Sequence, residues 1–307
     1  MNKIEIKDLI TEIDRSDYES AVEKLSTLNH KFLLIQGRSI PQTDNSMQYF
    51  PSNWKEEFPI INKLGFSGIE WIYDKKSELS NPILTKTGRM EMLCVSKKNN
   101  VNLENIVFDW FLSHPFLQKN ELLQEKNVEK FQSLMQSCSD VGFRRIIFPL
   151  LDKNKINSDK EINNLIKIFD KKIIEQLDSF NIEIHFETSL SPEKEKRIIE
   201  SLNHKKIKIC FDMGNSASEG FDPVKVINIL GNNLGSVHIK DRKIGGSSVP
   251  LGQGDVKFLR VFQSLRLINF HGPITFQIYR NKDSNNISIL KNSLTFIKET
   301  TSKIVND

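Results

Sequence analysis

Eight short apolar runs, each followed by a longer amphipathic segment, are the feature of this chain that most restricts its fold. They are rich in Ile, Val and Phe, and they lie at residues 32–37, 67–73, 104–111, 144–151, 182–188, 208–214, 235–241 and 274–280. Apolar runs that alternate with helical segments are typical of βα units around a parallel sheet. Eight units favour a closed (β/α)8 TIM barrel, and the first run lacks the G-x-G-x-x-G turn expected of an open doubly wound sheet.

Residues 31–307 are therefore expected to form one α/β barrel domain, since barrels of roughly 250 residues commonly fold as a single unit. Residues 1–30 precede the first run and carry apolar side chains at helical spacing, among them Ile10, Ile13, Val22 and Leu25. This pattern predicts an N-terminal helical extension that either plugs the amino-terminal end of the barrel or helps to form a homodimer.

Composition argues against several classes of protein. The chain has 43 Lys and Arg against 39 Asp and Glu, a formal net charge of +4, and the basic residues are scattered, which argues against nucleic-acid binding. Cys94, Cys138 and Cys210 lack C-x-x-C spacing and are expected to pack as small hydrophobic residues in a reduced, cytoplasmic protein. No apolar run reaches the roughly 18 residues of a membrane span, and the charged amino terminus is unlike a signal peptide.

Polar side chains lie at or near the ends of the last four runs. The fifth run ends in Glu187 and Thr188, the sixth contains Asp212, the seventh His238 and the eighth Gln277. Because the carboxyl ends of barrel strands meet at one face, these side chains are expected to converge. Oxygen and imidazole donors suit a divalent cation such as Mn²⁺, Mg²⁺, Co²⁺ or Zn²⁺. A hydrogen-bonded or solvated group at a strand end is the alternative for each residue taken alone.

The segments HFET, FDMGN, VHIKD, PLGQGDV and TFQIYR, in this order, resemble the xylose isomerase-like barrel superfamily, especially its sugar-phosphate isomerases and epimerases. The earlier segments QGRSIP and MQYFPSNWKEEFPIINKLGFSGIEWIYD are similar to the opening of such barrels. The resemblance implies that Glu187, Asp212 and His238 bind the metal and that Glu187 exchanges a proton with a substrate carbon. It also implies a sugar or sugar-phosphate substrate, with the G-Q-G segment at residues 252–254 beside the site.

Two positions depart from the superfamily pattern. Gln277 lies where many relatives have a second catalytic glutamate, and Asn215 lies where many have a histidine. An amide oxygen can ligate a metal, but an amide is not a base near neutral pH. Inverting a carbinol centre usually requires two proton carriers, whereas aldose–ketose exchange through a cis-enediolate requires one base. Gln277 therefore favours an isomerase over an epimerase.

Other polar residues are candidates for catalysis or substrate contact. Lys240 shares a strand face with His238, and it is expected either to supply the second proton or to pair with a carboxylate such as Asp241. The candidate substrate-binding residues are Glu70, His114, His185, Asn215 and Arg242. An ion pair with Arg38 is an equal alternative for Glu70, and a core hydrogen bond is favoured for His185.

Three other functions are consistent with this fold. A dehydratase would remove a proton and water from a keto-sugar, and a barrel that has lost catalysis would act as a binding protein. Endonucleases of the same superfamily hold several metals and need more histidines than the six in this chain. The near-neutral charge also argues against a nucleic-acid substrate.

Overall fold

The computed structural model describes residues 31–41, 48–280 and 286–305, so the helical extension predicted for residues 1–30 lies outside the described residues. Eight parallel strands close into a barrel. The prediction of a (β/α)8 barrel is therefore confirmed, because each barrel strand pairs with the next barrel strand along the chain and the last closes on the first.

The barrel strands each overlap one of the eight apolar runs. They are β1 (Phe32–Ile35), β2 (Gly68–Ile72), β3 (Asn102–Val107), β4 (Arg145–Leu150), β5 (Glu183–Thr188), β6 (Ile207–Asp212), β7 (Leu234–Ile239) and β10 (Ile274–Phe276). A short antiparallel hairpin follows β7 and consists of β8 (Asp241–Arg242) and β9 (Ser248–Val249). Some runs extend past their strands: the third run, for example, continues into a helix that begins at Trp110.

Helices surround the barrel within the described residues. They are α1 (Glu57–Lys63), α2 (Lys86–Asn99), α3 (Trp110–Ser113), α4 (Glu121–Val141), α5 (Asp159–Lys172), α6 (Ile174–Phe180), α7 (Pro192–Leu202), α8 (Met213–Ser218), α9 (Pro223–Leu230), α10 (Phe258–Leu267) and α11 (Asn286–Val305). Short 3₁₀ helices cover Trp54–Glu56, Pro82–Leu84, Asp152–Asn154 and Gly231–Asn233. No helix in the described ranges combines the length and apolar character required to cross a membrane.

Aromatic packing fixes the strands that carry the polar residues. Phe148 on β4 packs edge-on against Phe131 of α4 at 5.0 Å between ring centroids, and Phe186 on β5 packs against Phe169 of α5 at the same distance. Such pairs contribute about 0.5–1.5 kcal/mol beyond their buried area. Because strand side chains alternate, the outward position of Phe186 directs the next residue, Glu187, into the barrel.

Candidate active site

Strand register brings the polar strand-end residues to one end of the barrel. Asp212 on β6 is directly opposite His238 on β7, and Glu187 lies near the end of the neighbouring strand β5. Gln277 follows β10, and its backbone N–H donates to the carbonyl of Ile239 at 3.0 Å, which keeps it beside β7. All four polar side chains are at most 4% exposed. The side chains expected to converge are thus held on adjacent parts of the barrel.

The imidazole of His238 lies at the centre of this group. Its Nδ1 is 3.7 Å from Oε2 of Glu187 and 3.9 Å from Oδ2 of Asp212, and its Nε2 is 3.0 Å from Oε1 of Glu70. Within the described part of the chain, neither Nδ1 of His238 nor Oδ2 of Asp212 has a hydrogen-bond partner. Leaving a buried polar group unpaired destabilises a protein by about 1–3 kcal/mol. A cation shared by these atoms would satisfy both, so the donor set fits a divalent metal.

Asn215 holds the other oxygen of each carboxylate. Asp212 is the N-cap of α8, and its Oδ1 accepts from the backbone N–H of Asn215 at 2.6 Å. The side-chain amide of Asn215 donates to Oε1 of Glu187 at 2.9 Å and accepts from Arg242 at 2.8 Å. These contacts leave Oε2 of Glu187 and Oδ2 of Asp212 facing His238. Arg242 is itself held by two hydrogen bonds to the carbonyl of Gly246.

Lys240 extends from the end of β7 between two of these groups. Its ammonium donates to Oε1 of Gln277 at 3.2 Å and lies 3.6 Å from Oδ2 of Asp212. Gly214 permits this position, because a Cβ there would lie 2.8 Å from Cγ of Lys240. The ion pair suggested with Asp241 is not formed, since Asp241 instead accepts backbone N–H groups of the G-Q-G segment at Gly252 and Gly254.

Burial gives two carboxyl groups of the site near-neutral pKa values. Burial raises the pKa of Glu187 to about 7; His238 and Lys240 oppose the increase, and Asp212 adds to it. Burial likewise raises the pKa of Asp109 to about 7, against the hydrogen bond from Gln48. A carboxyl group with a pKa near neutral can both release and accept a proton at physiological pH, as a general acid/base requires.

A cavity of about 540 Å³ opens over these residues. Ligand sites of roughly 300–1,000 Å³ hold small organic molecules, so one sugar or sugar phosphate fits. The lining includes five of the residues selected from the sequence, namely Glu187, Asn215, Lys240, Arg242 and Gln277. Asp212 and His238 do not line the cavity, but they lie within 4 Å of Lys240 or Glu187, which do.

Glu70 does not reach the cavity and is fully buried. Its Oε2 accepts hydrogen bonds from Asn105 and Thr275, and its Oε1 faces His238. The alternative ion pair with Arg38 is absent, because Nε of Arg38 donates to the carbonyl of Ile278. Glu70 therefore contacts the ring of His238 on the side away from Glu187 and Asp212.

His185 and His114 also lie outside the cavity lining. His185 is fully buried, with Nδ1 2.8 Å from Oγ of Ser236 and Nε2 3.0 Å from Oε2 of Glu183, the core hydrogen bonding that the sequence favoured. His114 stacks on Trp110 with ring centroids 4.0 Å apart. The structure thus separates both histidines from the other candidate residues.

Three residues of the site were not selected from the sequence. Gln48 donates to Asp109 at 2.8 Å and accepts from the amide of Gln277, so it connects two sides of the cavity. Asp109 is a polar residue within the third apolar run, but only the last four runs were searched for polar strand-end residues. Cys210 lies close to Glu187 and His238, and its position two residues before Asp212 on the same strand face would have indicated this.

Known proteins similar to this chain are sugar epimerases and related barrels. The chain is 22% identical over 233 residues to L-ribulose-5-phosphate 3-epimerase UlaE of Shigella flexneri serotype 5b (strain 8401), covering 74% of this chain and 82% of that protein. A xylose isomerase domain protein from Planctomyces limnophilus superimposes with a TM-score of 0.70 at 15% identity, over 91% of this chain and 99% of that one. IolI protein with a bound zinc atom gives a TM-score of 0.67 at 16% identity, over 90% and 98%.

The family described as xylose isomerase-like TIM barrel matches residues 58–300, which include every barrel strand except β1. The match also contains the strand-end residues and the hairpin after β7. The chain therefore belongs to the xylose isomerase-like TIM barrel family.

Proposed function

We propose that this chain is a divalent-metal-dependent sugar or sugar-phosphate isomerase/epimerase that works through an enediolate, with aldose–ketose isomerisation favoured over epimerisation. One observation carries the proposal. Glu187 and Asp212 each direct one oxygen toward Nδ1 of His238, beside a cavity the size of one sugar phosphate. Sugar epimerases among the relatives support the reaction class.

Glu187, Asp212 and His238 are the residues proposed to hold the cation, and Gln277 is the candidate for the fourth ligand. The bound ion, Mn²⁺, Mg²⁺, Co²⁺ or Zn²⁺, would act as a Lewis acid for the negative charge that develops on a substrate oxygen. Glu70 would orient His238 from the opposite side of the ring, as carboxylates commonly do for metal-binding histidines. Asn215 and Arg242 would keep the free oxygen of each carboxylate directed toward His238.

Glu187 is proposed as the group that moves the carbon-bound proton. It removes a proton from the carbon beside the substrate carbonyl, the C–H electron pair forms the enediolate double bond, and the carbonyl π pair moves to its oxygen. Glu187 then returns the proton to the former carbonyl carbon, while the hydroxyl proton passes from one enediolate oxygen to the other and a new carbonyl forms. Its buried position at the edge of the cavity shields both steps from solvent. Gln277 cannot exchange a proton in this way, which is why isomerisation is favoured.

Epimerisation is the second candidate, and the position of Lys240 favours it. Its ammonium lies 3.2 Å from the amide oxygen of Gln277, where many relatives have the second glutamate. A lysine there would return a proton to the opposite face of the same carbon, with Glu187 as the base.

Lys75, Lys76 and Lys155 also line the cavity and would favour a phosphorylated over a neutral sugar.

Metal content and proton exchange test the proposal together. Protein purified without chelator is expected to contain near-stoichiometric metal, and Asp212→Ala is expected to lose it. Asp222→Ala is the matched control, because Asp222 is also a helix N-cap but belongs to the exposed start of α9. Incubation with ketoses and their phosphates in heavy water should label the carbon beside the carbonyl.

The alternatives give different results. Loss of water from a keto-sugar would identify a dehydratase. Absence of metal from the wild type, with metal recovered in Gln277→Glu, would overturn the proposal in favour of a binding protein.

A further inference from the structure

Cys210 lies inside the group of polar residues at the base of the cavity. Glu187, Cys210 and His238 each offer one atom that can bind a metal, and these three atoms lie within 4.8 Å of one another. All three residues are buried, and Cys210 is 2% exposed. Its side chain points to the barrel interior because it lies two residues before Asp212 on β6. A thiol is thus close to a carboxylate and an imidazole in a site shielded from water.

Apolar packing explains most buried cysteines, but two further observations indicate a ligand here. Nδ1 of His238 and Oδ2 of Asp212 are buried and have no hydrogen-bond partner in the described residues. Both atoms face the space between β5, β6 and β7, where Cys210 also lies. Glu187, Cys210 and His238 offer a carboxylate oxygen, a sulfur and an imidazole nitrogen, and Oδ2 of Asp212 adds a second carboxylate oxygen 3.9 Å from Nδ1 of His238.

The environment of Gln277 makes it a poor fourth ligand. Its amide oxygen already accepts from the ammonium of Lys240, and its amide nitrogen donates to Gln48. The Lys240 ammonium lies near both this neutral amide oxygen, at 3.2 Å, and the charged Oδ2 of Asp212, at 3.6 Å. Only the carboxylate charge offsets the repulsion between the ammonium and a bound cation, so the amide is the weaker ligand. Cys210 belongs to β6, whereas Gln277 follows β10, so the sulfur approaches the group from another part of the barrel.

We propose that Cys210 is a thiolate ligand of the cation, with Glu187, Asp212 and His238, and that the site therefore prefers Zn²⁺ or Co²⁺ to Mn²⁺ or Mg²⁺. This inference rests on the proposed metal dependence. When the cation binds, the thiol releases its proton to solvent and a sulfur electron pair forms the bond to the metal, without oxidation or reduction. Thiolates select zinc-like ions, whereas Mg²⁺ and Mn²⁺ favour oxygen ligands.

Cobalt titration of the metal-free chain of residues 1–307 tests the inference by absorption spectroscopy. The wild type is expected to develop a sulfur-to-cobalt charge-transfer band in the near ultraviolet together with visible d–d bands. Cys210→Ala should lose the charge-transfer band and keep d–d bands. Cys138→Ala is the matched control, since Cys138 is also buried but lies on α4, and it should keep both signals.

Metal competition gives a second measurement. The zinc dissociation constant of Cys210→Ala is expected to rise on the order of 100-fold, while that for Mn²⁺ changes much less. Cys210→Ser retains the approximate shape of the side chain and should show the same loss of selectivity. Circular dichroism of each variant checks that the barrel is folded.

The outcomes separate this inference from the proposed function. Visible cobalt bands without a charge-transfer band in the wild type would show a site of oxygen and nitrogen ligands alone; Cys210 would not be a ligand, and the proposed function would stand. A charge-transfer band that survives in folded Cys210→Ala would also overturn the inference. No cobalt binding by the wild type would overturn both proposals.

Discussion

Nδ2 of Asn215 donates a hydrogen bond to Oε1 of Glu187 at 2.9 Å. The backbone N–H of the same asparagine donates to Asp212, so one residue holds both carboxylates. Arg242 fixes the direction of the amide by donating to its oxygen. An asparagine at this position thus orients two acidic side chains toward His238, a role that needs no proton carrier.

Asn215→Ala is expected to lower kcat by about 10- to 100-fold, the usual effect of removing a group that orients metal ligands. The backbone bond to Asp212 does not require the side chain, so helix α8 should still form. Steady-state kinetics on the substrate identified by proton exchange would check this. Asn163→Ala is the control, because the side chain of Asn163 accepts from Arg197 on the exposed surface. Equal effects of the two substitutions would contradict the orienting role.

Lys240→Met is expected to lower the kcat of epimerisation by on the order of 100-fold or more, as for removal of a general acid, and to change isomerisation through Glu187 much less. Metal content should be unchanged, because the ammonium is not a ligand. The methionine keeps the packing of the lysine stem against Gly214. Lys243→Met, in the exposed turn after β8, is the matched control. Full activity in Lys240→Met would show that Lys240 transfers no proton.

Gln277→Glu is expected to increase epimerisation relative to isomerisation. The new carboxylate would lie beside the Lys240 ammonium, which stabilises its charged form. It would restore a second base at the end of β10. Product ratios measured by nuclear magnetic resonance for wild type and variant would check this. An unchanged ratio would show that residue 277 does not decide which reaction occurs.

Glu195→Gln is expected to stabilise the protein above pH 5. Burial raises the pKa of Glu195 to about 8, although the hydroxyl of Thr188 donates to it at 2.7 Å. The folded chain therefore keeps this proton between the unfolded pKa, about 4.5, and 8, while the unfolded chain releases it. The contribution of the Glu195 carboxyl to the free energy of unfolding is therefore fully present below pH 4.5 and is lost as pH rises from 4.5 to 8.

The variant removes this loss, because a glutamine oxygen accepts the same bond without ionising. The gain at pH 7 is expected to be on the order of 2–3 kcal/mol, measured by urea unfolding at pH 5, 6, 7 and 8. Glu193→Gln on the same helix is the control, since the Lys225 ammonium lowers the pKa of Glu193 to about 2, outside this window. A pH dependence identical to that of the wild type would show that Glu195 ionises normally.

Local sequence information was sufficient to predict the strands and the polar residues at their ends. A buried strand is a continuous apolar run, and the change to Asp212, Gly214 and Asn215 at the end of β6 marks both the strand end and a helix cap. Because chain direction fixes which strand ends share a face, Glu187, Asp212, His238 and Gln277 could be selected without the structure.

Alternation places His185 two residues deeper than Glu187, but which side chains reach the cavity could not be derived from it. Glu187 and His185 share a strand face, yet Glu187 lines the cavity and His185 packs near Gly235, where a Cβ would lie 2.5 Å from its ring. Cys210 and Asp212 likewise share a face, and only the packing of β6 beside β5 and β7 brings the thiol to His238. Side-chain depth depends on strand stagger, which is set when the barrel closes.

The sequence by itself determined that the chain forms a (β/α)8 barrel with carboxylates and a histidine at one end, because apolar periodicity and strand termination are local properties. Only the tertiary structure decided that Asn215 joins two carboxylates, that Lys240 accompanies Gln277, and that Cys210 lies beside His238. These are contacts between residues far apart in the chain. They exist only when barrel closure fixes strand register and the loops are packed over the strand ends.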